Sequence, residues 1–272
     1  MIEAFRKAAQ KNGALAAPAR LWYDGKNKPF SQKRPPDNGK ERIAVNTPAL
    51  ETERLILRKW ERADIDALFA LLRDEEVNTF LPWFPVKSRE EAERFYEERF
   101  ASQYQKPCAY HYAVCLKKDG IPAGYVNLSG IDGARDLGYG LCKALWHQGI
   151  VTEACRAVIA QLKKDGIPFV TATHDVNNPR SGGVMQNLGM QYQYSYEELV
   201  QPKNVLVTFR LYQLNLDGDS GRVYREYWDA SAVHYVEQDV RRPGTQKQLG
   251  RRNSLNMKGN GGGGAQYCGP AL

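Results

Sequence analysis

The chain has 272 residues, 42% of them hydrophobic and 25% charged, a balance that fits one globular domain with extensions or two small domains. No run of about 18 or more apolar residues is present, which excludes a membrane-spanning helix, and Met1 to Gln10 lacks the apolar core of a secretory signal. The five cysteines (Cys108, Cys115, Cys142, Cys155, Cys268) are odd in number and none forms a CxxC spacing, which argues against a disulfide framework or a zinc ribbon and for a reducing, cytoplasmic setting.

The net charge of +7 is unevenly placed: residues 1–46 carry +6, residues 47–240 carry −5 and residues 241–272 carry +6. A nucleic-acid reader would carry its basic patch on the folded module, so basic ends flanking an acidic middle point away from that class. An acidic middle suits a cationic ligand.

Residues 1–46, broken by Pro18, Pro29, Pro35, Pro36, Gly25 and Gly39, read as a basic, poorly ordered extension. LILRKW (Leu55–Trp60) alternates like a strand. ADIDALFALLRD then places Ile65, Leu68, Phe69 and Leu72 on one helical face, with Asp64 as N-cap. Ser88-Arg89-Glu90-Glu91 has capping-box spacing and opens a second helix with the stripe Ala92, Phe95, Tyr96, Phe100. Tyr110–Leu116 and Ala123–Ile131 form a hairpin over the Asp119-Gly120 turn, and Leu137–Leu141 is a further strand.

A helix from about Thr152 to Lys164 follows, with Val151, Cys155, Val158 and Leu162 on one face; Ile167–Thr173 is a buried strand. Asn178-Pro179 opens another helix, which stops at Gly189. Tyr192–Tyr196 and Val205–Leu214 are the last two strands. The order β-α-α-β-β-β-α-β-α-β-β predicts an α/β fold, a mixed sheet with helices on its faces, over residues 47–214. Residues 215–240 read as an aromatic arm packed on that domain, with cover of a cleft or a dimer contact as alternatives; 241–272 read as a disordered, basic, glycine-rich tail.

Leu137–Gly189 carries the chemistry. A strand leads through His147, Gln148, Gly149, Ile150 and Val151 into Thr152-Glu153-Ala154 at a helix start, and Asn178-Pro179-Arg180-Ser181 precedes Leu188-Gly189-Met190. Free amides and the positive dipole end of a helix favour phosphate, and Gly149 lets the backbone approach closely; a plain tight turn is the alternative reading of that glycine.

These segments, with ETERLILRKW at Glu51–Trp60, resemble the GNAT superfamily of N-acetyltransferases over residues 50–214. The family pattern is Gln/Arg-x-x-Gly-x-Gly/Ala; here Trp146 stands at the Gln/Arg position and Val151 at the Gly/Ala position, and the tryptophan is similar to the branch holding the N-terminal-alanine acetyltransferases of ribosomal proteins.

The resemblance implies a mostly antiparallel sheet splayed at its fourth and fifth strands. It also implies acetyl-CoA as donor, a primary amine as acceptor (a protein N-terminus or a small molecule), direct attack without a covalent enzyme intermediate, and no metal. It implies pantetheine pairing beside Tyr139–Cys142, with Asn178 near the thioester end; a plain N-cap role suits Asn178 too. A backbone N–H at Leu141 or Cys142 would stabilise the oxyanion, and Ser181 would protonate the leaving thiolate, with Tyr192, Tyr194 and Tyr196, read as sharing one strand face, as alternative acids. Glu198, then Glu197, then His111 are the candidate bases. Cys142 and Cys155 read as core or cofactor-lining. His111, His147, His174 and His234 show no metal-ligand spacing. Monomer and homodimer both remain open. Two other classes compete: a catalytically idle acyl-CoA sensor, and a ribosome- or nucleic-acid-associated protein acting through its basic ends.

Overall fold

Leu55 and Leu57 are fully buried while Ile56 and Arg58 are half-buried, the period of two that makes a strand. In the computed structural model, which describes residues 46–238 and Val240, that strand is β2 (Leu55–Arg58), preceded by a two-residue β1 (Leu50–Glu51). There follow α1 (Ile65–Arg73), α2 (Arg89–Tyr96), β3 (Tyr110–Leu116), β4 (Pro122–Ser129), β5 (Asp136–Leu141) and α3 (Ile150–Lys164). β6 (Phe169–Asp175), α4 (Pro179–Asn187), β7 (Gln191–Val200), β8 (Val205–Asn215), α5 (Glu226–Ala230) and β9 (His234–Tyr235) complete the order. The readings of the basic N-terminal extension and of the tail from 241 lie outside the described residues.

Among the described residues the sheet has nine strands in the order β1-β2-β3-β4-β5-β6-β8-β7-β9, antiparallel except at β5–β6. That parallel junction is held by one registered pair, Asp136 with Thr171. Beyond it β5 and β6 part, so the sheet is splayed where the resemblance places the splay.

Both faces of the sheet are covered. Tyr110, Tyr112 and Val114 pack with Cys155, Val158 and Leu162 of α3, while Ala113 and Cys115 pack with Leu68, Leu71 and Leu72 of α1. Burying each large apolar side chain contributes about 1.5–3 kcal/mol, which is how these helices are held to the strands. α3 starts at Ile150, two residues before the expected Thr152, because Gly149 takes a left-handed conformation (φ +75°) and serves as N-cap. Among the described residues no helix is long and apolar enough to cross a membrane.

Several local expectations change. Asp64 sits at the N-cap of α1 but makes no cap bond; its carboxylate takes a bidentate pair from Arg58 (2.6 and 2.8 Å) and the Glu61 N–H (2.9 Å). An Arg partner outcompetes an amide for a half-dry carboxylate. Only half of the second capping box forms: Ser88 Oγ accepts from Glu91 N–H, but Glu91 Oε2 takes the N–H of Lys87 instead. β7 runs on to Val200, so Glu197 and Glu198 lie within it rather than past it. A β-bulge between Tyr192 and Tyr194 breaks the expected common face: Tyr192 meets Tyr212, whereas Tyr194 and Tyr196 join Phe209 and Leu211 on the other side.

The aromatic segment after β8 packs on that second face. Tyr227 stacks on Tyr196 (5.2 Å between centroids), Trp228 meets Tyr194 edge-on (5.3 Å), and β9 pairs with Ser195 and Tyr196. Glu237 then accepts from Arg210 (2.6 Å) and Ser195 Oγ (2.6 Å), pinning the arm to the sheet.

Candidate functional site

The turn into α3 is built from two left-handed residues, His147 (φ +62°) and Gly149 (φ +75°), on either side of Gln148. The first amide of α3 to find a helical acceptor is that of Glu153, on Gly149 O at 3.0 Å. The N–H groups of Ile150, Val151 and Thr152 are therefore the orphan donors of the helix start, gathered with its positive dipole end. Glu153 would oppose an anion there, but its carboxylate is drawn aside to Thr52 Oγ1, to Arg54 N–H (3.1 Å) and to the Arg54 guanidinium (2.6 Å). Burial acts to raise that carboxyl; the Thr52 and Arg54 hydrogen bonds outweigh it and hold it below its ordinary value. Arg54 also donates to Gln148 O (3.0 Å), so one guanidinium steadies the turn and neutralises its acidic neighbour.

β5 supplies the next part. Cys142 N–H donates to Ala123 O at 2.8 Å, in register with the β4–β5 ladder. Alternation in an antiparallel ladder then directs the N–H and C=O groups of Tyr139 and Leu141 away from β4, into the splay. Of the two candidate oxyanion donors, Leu141 faces the opening and Cys142 does not. Leu141 O accepts from Trp146 Nε1 (2.8 Å), and the Arg180 guanidinium lies 4.6 Å from the Trp146 ring centre, which ties the start of α4 to the turn before α3. This is what Trp146 does at the position where the family pattern has Gln or Arg.

The splay opens a cleft of about 880 Å³, lined by β5 and β6, the start of α4, the far end of β7 and the α1–α2 loop. Asn178, Ser181, Glu198, Tyr139 and His174 all line it. Asn178 caps α4, its side chain accepting from Ser181 N–H (3.4 Å). Ser181 Oγ lies 3.0 Å from Tyr139 Oη, and that phenol also reaches Ser181 O (2.9 Å). Burial drives the Tyr139 phenol far above the ordinary tyrosine value, against a smaller lowering by Ser181, so it stays protonated and serves as a fixed hydroxyl. His174 is buried; its Nδ1 lies 2.8 Å from Asp175 O, and Gly182 passes so close that a Cβ there would come 2.7 Å from His174 Nε2. Burial lowers the His174 pKa, which keeps the ring neutral.

Other candidates are not brought to the cleft. Glu197 alternates with Glu198 and so faces the other side of β7; its N–H donates to Val233 O and its carbonyl accepts from Ser231 Oγ, which serves the arm. His111 does not line the cleft. It is buried beside Phe100, and desolvation, with the Lys106 charge second, pushes its pKa down to about 4. Tyr194 and Tyr196 are core residues, and Tyr192 Oη accepts from the Glu237 N–H and lies 3.0 Å from Ser195 Oγ. Burial raises the thiols of Cys142 and Cys155, and Cys155 lies wholly in the core on the inner face of α3. Among the described residues no group of three or more His, Cys, Asp or Glu could hold a metal ion.

Two side chains of the candidate site went unread in the sequence. Arg54 acts on Glu153 and Gln148 from about a hundred positions away, and nothing in the local spacing of ETERLILRKW announces it. Tyr139 did carry a signal: an aromatic ring between two glycines on a strand whose neighbouring glycine, Gly140, allows Tyr125 to lie against it.

The family model described as an acetyltransferase (GNAT) domain matches residues 54–191, about half of the chain, from Arg54 through α4. A relative described as the uncharacterized N-acetyltransferase YoaA of Bacillus subtilis (strain 168) is 26% identical over 159 residues, which is 55% of this chain and 89% of that protein. Solved structures with a similar fold include the microcin C7 self-immunity acetyltransferase MccE in complex with acetyl-CoA and AMP. It has a TM-score of 0.53 and 20% identity, covering 60% of this chain and 93% of that one. The ribosomal-protein-S5-alanine acetyltransferase from Vibrio fischeri has a TM-score of 0.53 and 19% identity, covering 63% and 98%.

Proposed function

The chain belongs to the GNAT acetyltransferase family, and from that premise we propose that it transfers an acetyl group from acetyl-CoA to a primary amine held in the β5–β6 cleft, by direct attack. The observation that carries this reading is the convergence of Asn178, Ser181, Tyr139 and Glu198 on one cleft beside the open edge of β5. GNAT acetyltransferases use acetyl-CoA as acetyl donor. The residues present fit it: orphan amides at Ile150–Thr152 suit the pyrophosphate, a carboxylate that would repel it is turned away, and the main-chain groups of Tyr139 and the N–H of Leu141, directed away from β4, suit the amide-bearing arm. Bound there, acetyl-CoA supplies the acetyl group as an activated thioester.

The chain's own groups do the rest. Glu198 accepts the amine proton through water. The Leu141 N–H points where negative charge develops on the carbonyl oxygen. Ser181 Oγ, held by Tyr139, gives its proton to the departing sulfur and regains one from water. Asn178 both caps α4 and faces the cleft. The acceptor is a protein N-terminal α-amine or a small-molecule amine, and the similar fold of the ribosomal-protein enzyme supports keeping the first. Four cysteines among the described residues are free thiols, which supports a reducing cytoplasm.

The test is kinetic. Glu198→Gln is expected to lower kcat by about 10²–10⁴-fold, with coenzyme A affinity by calorimetry unchanged, and Ser181→Ala to lower kcat with affinity likewise kept. Glu197→Gln is expected to leave kcat within about twofold, because its side chain faces away. If both cleft variants turn over normally while coenzyme A still binds, the assignment of acid and base is wrong and the idle-sensor class gains ground.

A further inference from the structure

The cleft has a composition that narrows the acceptor. Five rings line it: Phe80 and Trp83 from the α1–α2 loop, Tyr125, Tyr139 and Phe209 from the sheet. Three carboxylates line it too: Asp136 at the start of β5, where the two strands meet, Asp175 at the far end of β6, its Oδ1 accepting from Asn177, and Glu198 on β7. Among the described residues no Lys or Arg lines it. The Lys203 ammonium sits outside the lining, donating to Asn78 O (3.0 Å) and Thr79 O (3.1 Å) and thereby fastening the β7–β8 turn to the loop that carries Phe80 and Trp83. Trp83 is itself fixed by Nε1 on Asn78 Oδ1 (3.0 Å) and by Phe95 edge-on at 5.2 Å. Trp83 and the loop that carries it are therefore held in place. Apolar surface continues outside the cleft, where Phe80, Leu199, Val205 and Leu206 are all more than a third exposed.

Carboxylates and ring faces both attract a cation, and ring faces also bury an apolar body. A polyamine would leave the apolar surface of the aromatic wall unfilled. A sugar amine would bring hydroxyls that rings cannot satisfy, at a cost for each unpaired polar group. The same cleft must also admit the thioester end of the donor. We propose that the acceptor is a monocationic primary amine carried a few bonds from an aromatic ring, bound with its nitrogen toward Glu198 and its ring against Phe80 and Trp83. This rests on the transferase reading of the same cleft.

The experiment uses the full chain, acetyl-CoA and a panel of amines: 2-phenylethylamine, tryptamine, spermidine, kanamycin, and short peptides beginning with Ala or with Phe, read as free thiol release. The arylalkylamines are expected to exceed spermidine and kanamycin in kcat/KM by about 100-fold, the scale of burying one ring. A Phe-first peptide that matches them would place the same ring-and-amine chemistry on a polypeptide. Phe80→Ala, at a half-exposed position that leaves the core intact, is expected to raise KM for 2-phenylethylamine about tenfold with kcat and coenzyme A affinity unchanged; Trp83→Ala should do more. Spermidine, kanamycin or an Ala-first peptide as the best acceptor, or an unchanged KM in Phe80→Ala, would overturn the proposal. Should no amine release thiol, the transferase reading fails; titration of 2-phenylethylamine against spermidine into the coenzyme A-bound chain then still decides the acceptor claim.

Discussion

His111 allows the energetics to be checked directly by lowering the pH. Its ring lies on β3, 8% exposed, with Nδ1 buried and without a hydrogen-bond partner, and its pKa falls from 6.5 to about 4, first by desolvation and then by the Lys106 charge. The unfolded chain therefore binds a proton that the folded chain refuses between those two values, so stability is full above pH 6.5 and is lost as pH falls toward 4. With 1.36 kcal/mol per pKa unit, the loss between pH 8 and pH 5 from this ring alone is about 2 kcal/mol, and below pH 4 it approaches about 3 kcal/mol. Urea denaturation of the wild type and of His111→Gln at pH 8 and pH 5 isolates that contribution. Any fixed cost of burying the amide cancels within the variant, and titrating carboxylates cancel between the two proteins. The variant is expected to lose about 2 kcal/mol less than the wild type on acidification. An equal loss in both would refute the account of His111 as a desolvated, neutral core residue. The same variant is expected to keep its turnover with saturating substrates at pH 8, because His111 does not line the cleft.

Three further outcomes follow from single contacts. Gly182→Ala drives a Cβ to 2.7 Å from the buried His174 ring and is expected to cost about 1–3 kcal/mol in urea, whereas Gly183→Ala, with nothing within 4 Å on the same helix, is expected to be neutral or to stabilise by about 0.5–1 kcal/mol. Arg54→Ala frees the Glu153 carboxylate beside the orphan amides of α3; since Arg54 is 45% exposed, the effect on coenzyme A affinity is expected to be about five- to tenfold by calorimetry, with a shallower salt dependence. Tyr139→Phe removes the hydroxyl that holds Ser181 and is expected to lower kcat about tenfold, about the worth of one hydrogen bond, with coenzyme A affinity unchanged.

What the sequence disclosed and what it withheld divide along one physical line. Periodicity and caps are local, and they located α1 to α4 and the long strands from β2 to β8, with Asn178 at a helix start as expected and α3 beginning two residues early, at the Gly149 cap. Side-chain direction within a strand depends on register, and register depends on partners that spacing cannot show. A single bulge after Tyr192 was enough to put Tyr194 and Tyr196 on the far face, and the extension of β7 to Val200 turned Glu197 and Glu198 from a loose acidic pair into residues on opposite faces. The same holds for hydrogen-bond direction: Cys142 and Leu141 are equivalent as neighbours in a strand, and only the ladder to Ala123 shows that one amide is spent and the other faces the splay. Arg54 is the extreme case, since its two partners are set by how β2 and α3 meet and by nothing near it in the chain. A motif therefore locates the site, while the sheet decides which of two adjacent residues enters it. Because β5 and β6 are joined at one registered pair, Asp136 with Thr171, the geometry of the cleft depends on the point where the parallel ladder stops.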